Sequence, residues 1–160
     1  MGKNKLEKFA DMASYPHVFE YPYSAVDNVP FEMKGNWHQQ FFKNDNPIVL
    51  ELGCGKGGFL AQIAPAHPDI NYLGIDITDK VLILAKRKVE AAYAERGIPA
   101  DNVKIASLDI ERLGNAFTPD DRVSRIYINF CNPWSKNAGS NKHRLTPVSY
   151  THLTLPTNSR

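Results

Sequence analysis

The run Ile48-Val49-Leu50-Glu51-Leu52 breaks abruptly into Gly53-Cys54-Gly55-Lys56-Gly57-Gly58 and resumes as an amphipathic stretch from Phe59. Continuous apolar character, then glycines, then helical spacing reads as a buried strand, a tight turn and the start of a helix. Gly53, Gly55 and Gly57 let the backbone turn sharply and approach a bound molecule, since a Cβ there would crowd the chain or the ligand. The stretch is a ligand shelf, and the rest of the chain is arranged around it.

Two features argue against a phosphate cradle. The turn lacks the Gly-Lys-Ser/Thr ending of a P-loop, and Glu51 at the strand end would repel a pyrophosphate. Gly53, Gly55 and Gly58 formally match G-x-G-x-x-G, a weak signal alone. A second strand, Tyr72-Leu73-Gly74-Ile75-Asp76-Ile77, carries another carboxylate at its tip. Asp76 can accept both hydroxyls of an adenosine ribose, while Glu51 can face a sulfonium or its amino group. The cofactor suggested is S-adenosylmethionine; the competing reading is a doubly wound turn with no ligand.

The chain's 160 residues suit one globular domain, and a net charge of +2 gives no global basic field, so any nucleic-acid contact must come from local clusters. Cys54 and Cys131 show neither metal-binding spacing nor a disulfide framework. With no secretory segment and no run of membrane-spanning length, the expectation is a soluble, cytoplasmic protein without a metal.

Residues 1–46 lack sustained periodicity and read as an N-terminal arm. It carries Lys3, Lys5 and Lys8, then aromatics and prolines from Tyr15 to Phe31. These either contact RNA or cover an edge of the core. After the glycine turn, Phe59, Leu60, Ile63 and Ala64 form a helical face that stops near Pro65 and Pro68. Thr78 is the expected N-cap of a longer helix, with Val81, Leu82, Ala85, Val89 and Ala92 on one stripe and Lys80, Lys86, Arg87, Glu90 and Glu95 outside it. Gly97 and Pro99 end it.

Asn102 to Asp109 reads as a third strand. Asp109 at its end either approaches the adenine side of the cofactor or caps a short helix around Ile110 to Leu113. A fourth strand, Arg125 to Phe130, should lie beside the first, where strand order reverses. Alternating β and α patterns argue a doubly wound α/β fold with a parallel sheet. The loop Asn129-Phe130-Cys131-Asn132-Pro133-Trp134 places an amide, a proline and a flat aromatic over the methyl donor, groups suited to holding a planar base. Trp134 reads equally well as a core or lid aromatic, and Asn132 as a turn amide. Lys136, Lys142, His143 and Arg144 follow as a basic cluster able to meet phosphates.

Leu50 to Gly57, Tyr72 to Asp76 and Asn129 to Trp134, followed by Lys142-His143-Arg144-Leu145-Thr146, resemble the bacterial tRNA (guanine-N7)-methyltransferases over roughly residues 34–147. The glycine turn is shared by most class I methyltransferases; the Asn-Phe-x-x-Pro-Trp strand end with a basic Arg-Leu-Thr stretch behind it is more specific. The resemblance implies a Rossmann-like class I sheet and methyl transfer from S-adenosylmethionine to N7 of a guanine in the tRNA variable loop. It further implies that Glu51, Asp76 and Asp109 contact the cofactor, that Asn132 lies at the reaction centre, and that Lys136 and Arg144 face the RNA. Guanine N7 carries a free lone pair and no proton, so the transfer needs no general base, and positioning carries most of the rate.

This chain departs from the family in three places. Asn132 stands where the family usually has Asp, keeping an acceptor but losing a charge. Ser140-Asn141-Lys142-His143-Arg144-Leu145 thins the His-x-Lys-Arg-Arg-Leu pattern. From Val148 to Arg160 the sequence no longer resembles the family, so the expected organisation is an arm (1–46), an incomplete cofactor-binding domain (47–147) lacking its C-terminal strands, and an unrelated tail (148–160). Alternatives are a methyltransferase on another substrate, or a cofactor- or RNA-binding fragment without turnover.

Overall fold

The computed structural model describes residues 18–20, 32–110 and 113–129. Five strands form one sheet: Val18–Glu20 (β1), Ile48–Leu52 (β2), Asn71–Asp76 (β3), Val103–Ser107 (β4) and Val123–Ile128 (β5). Their order is β1-β4-β3-β2-β5, and every neighbouring pair is parallel. The chain moves outward from β2 through β3 to β4, then returns to place β5 on the other side of β2. The strand order therefore reverses between β2 and β5, as expected for the first and fourth strands.

All five residues of β2 are buried, because the sheet is covered on both faces. Side-chain alternation divides them: Ile48, Leu50 and Leu52 join one core with Leu73, Ile75 and Ala106, while Val49 joins the other with Tyr72, Val103 and Ile105. Over Val49 lie the helices Gly58–Ile63 (α1) and Asp79–Arg96 (α2), which supply Leu60, Leu82, Ile83, Ala85, Val89 and Tyr93. Over the other face lie a π-helical segment, Trp37–Phe42, and the short helix Leu113–Ala116 (α3). Helical layers on opposite faces make the fold doubly wound.

The segment before residue 47 holds more structure than its irregular pattern suggested. Val18–Glu20 adds a strand beside β4, in register Val18↔Ile105; three residues are too few to display a period of two. Trp37 is fully buried, stacks on Phe117 with ring centroids 5.0 Å apart, and donates its indole N–H to the Ala116 carbonyl at 2.8 Å. Asp121 ties the same regions together. Its buried carboxylate accepts the backbone N–H groups of Gly35 (2.9 Å), Trp37 (3.4 Å) and Thr118 (2.7 Å).

Smaller differences concern boundaries and one face. The third strand stops at Ser107 rather than Asp109; Ile110 is in a 3-10 turn, and Leu113–Ala116 is helical. On α2, Lys86 is buried, at 2 % exposure, with its ammonium 3.9 Å from Glu90, although helical spacing placed it outside the apolar stripe. A lysine stem can lie along apolar surface and send its charge to the helix flank, which a hydrophobicity pattern does not register.

Candidate functional site at the strand tips

Three strands end at the point of reversal, and their register determines which side chains meet. Glu51 lies opposite Gly74 on β3 and Tyr127 on β5. Asp76, two residues beyond Gly74, emerges on the same sheet face as Glu51. Both carboxylates act on the thiol of Cys54 in the intervening turn: burial raises its pKa first, and Glu51 and then Asp76 raise it further. Cys54 is thus a neutral, buried thiol between two acids.

Gly74 explains how the turn comes so close. A Cβ there would run into the Leu60 side chain and stand 3.1 Å from the Cys54 sulfur. A lone glycine inside an apolar strand signals such an approach, so this contact was accessible to sequence reading.

The turn itself divides its glycines between two jobs. Gly53, Gly55 and Gly57 all have positive φ, at 71°, 52° and 67°. A Cβ on Gly57 would lie 2.8 Å from Ala85, so that glycine lets α1 press against α2. At Gly53 a Cβ would meet no atom within 4 Å, and at Gly55 it would just reach the Gly53 carbonyl at 4.0 Å. Those two border open space. Four N–H groups of the turn are already bonded within the protein: Gly53 and Cys54 to the Ile75 carbonyl, Gly57 to that of Cys54, and Gly55 to Asp76. A phosphate would find those donors occupied, in keeping with the sequence-based rejection of a phosphate cradle.

Glu51 is 3 % exposed. Its Oε1 accepts a hydrogen bond of 3.0 Å from the Asn129 side-chain amide, while its Oε2 is buried with no hydrogen-bond partner among the described residues. Burial moves its pKa up from the ordinary carboxylate value, and the Asn129 bond draws it part of the way back. A carboxylate oxygen left bare in this way is normally satisfied by something else. Asp76 is half-buried and holds the backbone N–H groups of Gly55 (3.0 Å, Oδ2) and Thr78 (2.9 Å, Oδ1). Each oxygen retains a lone-pair direction, so two hydroxyls can still be accepted. Thr78 occupies the N-cap position of α2, but its own side chain makes no capping bond.

Asp109, half-buried, lies two residues past β4 on the same edge of the sheet. Ile77, next to Asp76, is 61 % exposed there, an apolar residue to which sequence reading assigned no role at the site. Asn132, Lys136, Lys142 and Arg144 lie outside the described residues, as do Cys131, Trp134 and the lysines of the arm. Among the described residues, no group of His, Cys, Asp and Glu could hold a metal ion, and no helix is long and apolar enough to cross a membrane.

Residues 45–155 match the model of a family described as "Putative methyltransferase". The chain is 51 % identical over 139 residues to a tRNA (guanine-N(7)-)-methyltransferase of Bacteroides fragilis, covering 86 % of this chain and 52 % of that protein. It is 55 % identical over 117 residues to a protein of the same name from Clostridium beijerinckii, covering 73 % of this chain and 52 % of that one. The chain therefore spans about half the length of the curated relatives it matches. Among solved structures it is similar to an antibiotic-related methyltransferase, with a TM-score of 0.47 and 16 % identity, covering 70 % of this chain and 52 % of that one.

Proposed function

This chain belongs to the methyltransferase family matched over residues 45–155, and we propose that it binds S-adenosylmethionine at the tips of β2 and β3 and directs its methyl group to N7 of a guanine in the tRNA variable loop. The observation that carries the reading is the pairing of Glu51 and Asp76 on one sheet face around a turn whose Gly53 and Gly55 border open space. The names of the relatives support the choice of tRNA and of the guanine position.

The residues present suit the cofactor. Glu51 offers a buried, unpartnered carboxylate oxygen, a natural partner for a cationic amino or sulfonium group. Asp76, fixed by two backbone N–H groups, has the remaining acceptor capacity for a ribose. S-adenosylmethionine, when bound, supplies an electrophilic methyl group on a sulfonium. The residues' task is then to hold and orient. Guanine N7 has a lone pair and no proton to lose, so no side chain has to act as a base, and alignment of the reactants supplies the rate. Asp109 on the cofactor, Asn132 at the reaction centre and Lys136, Lys142 and Arg144 on the RNA complete the proposal, in a cytoplasmic enzyme.

The test is transfer of a tritiated methyl group from S-adenosylmethionine to unmodified tRNA, with the product nucleoside identified and mapped. N7-methylguanine in the variable loop is the expected product. Label in another nucleoside would redirect the substrate assignment; calorimetry showing no binding of S-adenosylhomocysteine would remove the cofactor assignment as well.

A further inference from the structure

We propose that Asn129 is a positioning residue for Glu51: its side-chain amide fixes one carboxylate oxygen and leaves the other aimed, bare, at the cationic part of the bound methyl donor. The inference rests on the proposed cofactor site at the tips of β2 and β3 and deepens it. Asn129 follows the last residue of β5, and the β2·β5 register sets Leu52 against Ile128 and Glu51 against Tyr127. The amide thus reaches Glu51 from across the point of strand reversal, over 3.0 Å.

Two facts make this more than a local hydrogen bond. The Glu51 carboxylate is buried, so without a donor its charged form would be costly and its orientation free. The bond uses Oε1 only, and among the described residues the solvent-inaccessible Oε2 has no hydrogen-bond partner. An amide can only donate to an ionised carboxylate from its NH2 group, and it brings no charge of its own to compete with a cation. A lysine or arginine at position 129 would neutralise the site; asparagine keeps its negative charge available.

The titratable groups facing Glu51 are Cys54 from the turn, Asp76 from β3 and Tyr127 from β5. From α2, Lys86 pairs with Glu90, and the Lys88 ammonium comes within 3.9 Å of the Cβ position of Gly58. Burial, with Glu51 and Asp76 beside it, keeps the Cys54 thiol neutral. Losing the Asn129 donor removes the influence that lowers the Glu51 pKa, so ionisation moves to higher pH.

The experiment is calorimetric titration of S-adenosylmethionine, which carries both cationic groups, into the wild-type chain, Asn129→Leu, Glu51→Gln and the double variant, across pH 5 to 8. Asn129→Leu should weaken binding roughly tenfold at neutral pH, the worth of a hydrogen bond to a charged group. Its affinity should also fall away at higher pH than that of the wild type. In the Glu51→Gln background the same change should have little effect. Equal affinities and pH profiles for wild type and Asn129→Leu would overturn the positioning role while leaving the cofactor assignment standing. No binding by the wild type would overturn both. Should Asn129→Leu not fold, NMR on the wild type decides: the Asn129 amide protons should shift together with the Glu51 carboxyl carbon during a pH titration, and independent titration would end the proposal.

Discussion

The backbone N–H of Gly55 donates to Oδ2 of Asp76 across 3.0 Å, so the tip of β3 and the turn after β2 share one carboxylate. Asp76 therefore does two jobs. It fastens the turn that shapes the hollow, and it presents acceptor capacity to whatever occupies that hollow.

Asp76→Ala should accordingly weaken S-adenosylhomocysteine binding by about 1.5 to 3 kcal/mol and lower the melting temperature too, because two backbone donors lose their partner. Calorimetry and thermal melting measure the two losses separately. An unchanged dissociation constant would count against the ribose assignment even if stability fell.

The glycines of the turn should respond differently to the same substitution. Gly57→Ala combines a left-handed backbone with a collision against Ala85, and a loss of about 2 to 4 kcal/mol in stability is expected. Gly53→Ala meets no protein atom, so its cost is the left-handed strain alone, about 1 to 2 kcal/mol. Its methyl group projects into the open space of the proposed cofactor site, and ligand affinity should drop more than in Gly57→Ala. Urea denaturation and calorimetry on the two variants would reveal the crossover; similar affinity losses in both would place the ligand elsewhere.

Asp121 anchors the segment before β2. Its fully buried carboxylate collects N–H groups from Gly35, Trp37 and Thr118, and Asp121→Ala strands all three. A loss of at least about 3 kcal/mol is expected. Asp121→Asn, which keeps an acceptor oxygen, should lose less. Chemical denaturation separates the two, and equal losses would mean that charge rather than the acceptor count holds the segment.

Glu51 should make stability and binding depend on pH in opposite directions. Burial raises its folded-state pKa above the ordinary value of 4.5, so folding favours the protonated form. Its contribution to stability is fully present below the unfolded-state pKa and is lost as pH rises through the folded-state value. The melting temperature of the wild type relative to Glu51→Gln should therefore decline as pH rises from 4.5. Cation binding should strengthen over the same window. A melting-temperature difference that stays constant with pH would show that the carboxyl titrates as an ordinary exposed one.

The strands, the turn and the two acids were legible in the sequence because each has a local cause. An apolar run ends at glycines, and a carboxylate stands at a strand tip. The π-helical segment with Trp37, the edge strand at Val18 and the burial of Lys86 were not legible. The first two exist only because a distant surface, Phe117 or β4, receives them, and Lys86 is buried within its own helix's packed flank beside Glu90.

By itself the sequence determined which residues form the turn, which acids flank it and, through the Asn-Phe-x-x-Pro-Trp strand end, which family to compare. Tertiary structure alone decided the register of β5 against β2, which brings Asn129 to Glu51 across 78 positions of chain. It also decided that Gly57 serves helix packing while Gly53 and Gly55 border open space. The physical reason is one of range: backbone preference and hydrophobic periodicity act over a few neighbours, whereas strand register and the partner of a buried charge depend on which distant segments the packed sheet sets side by side.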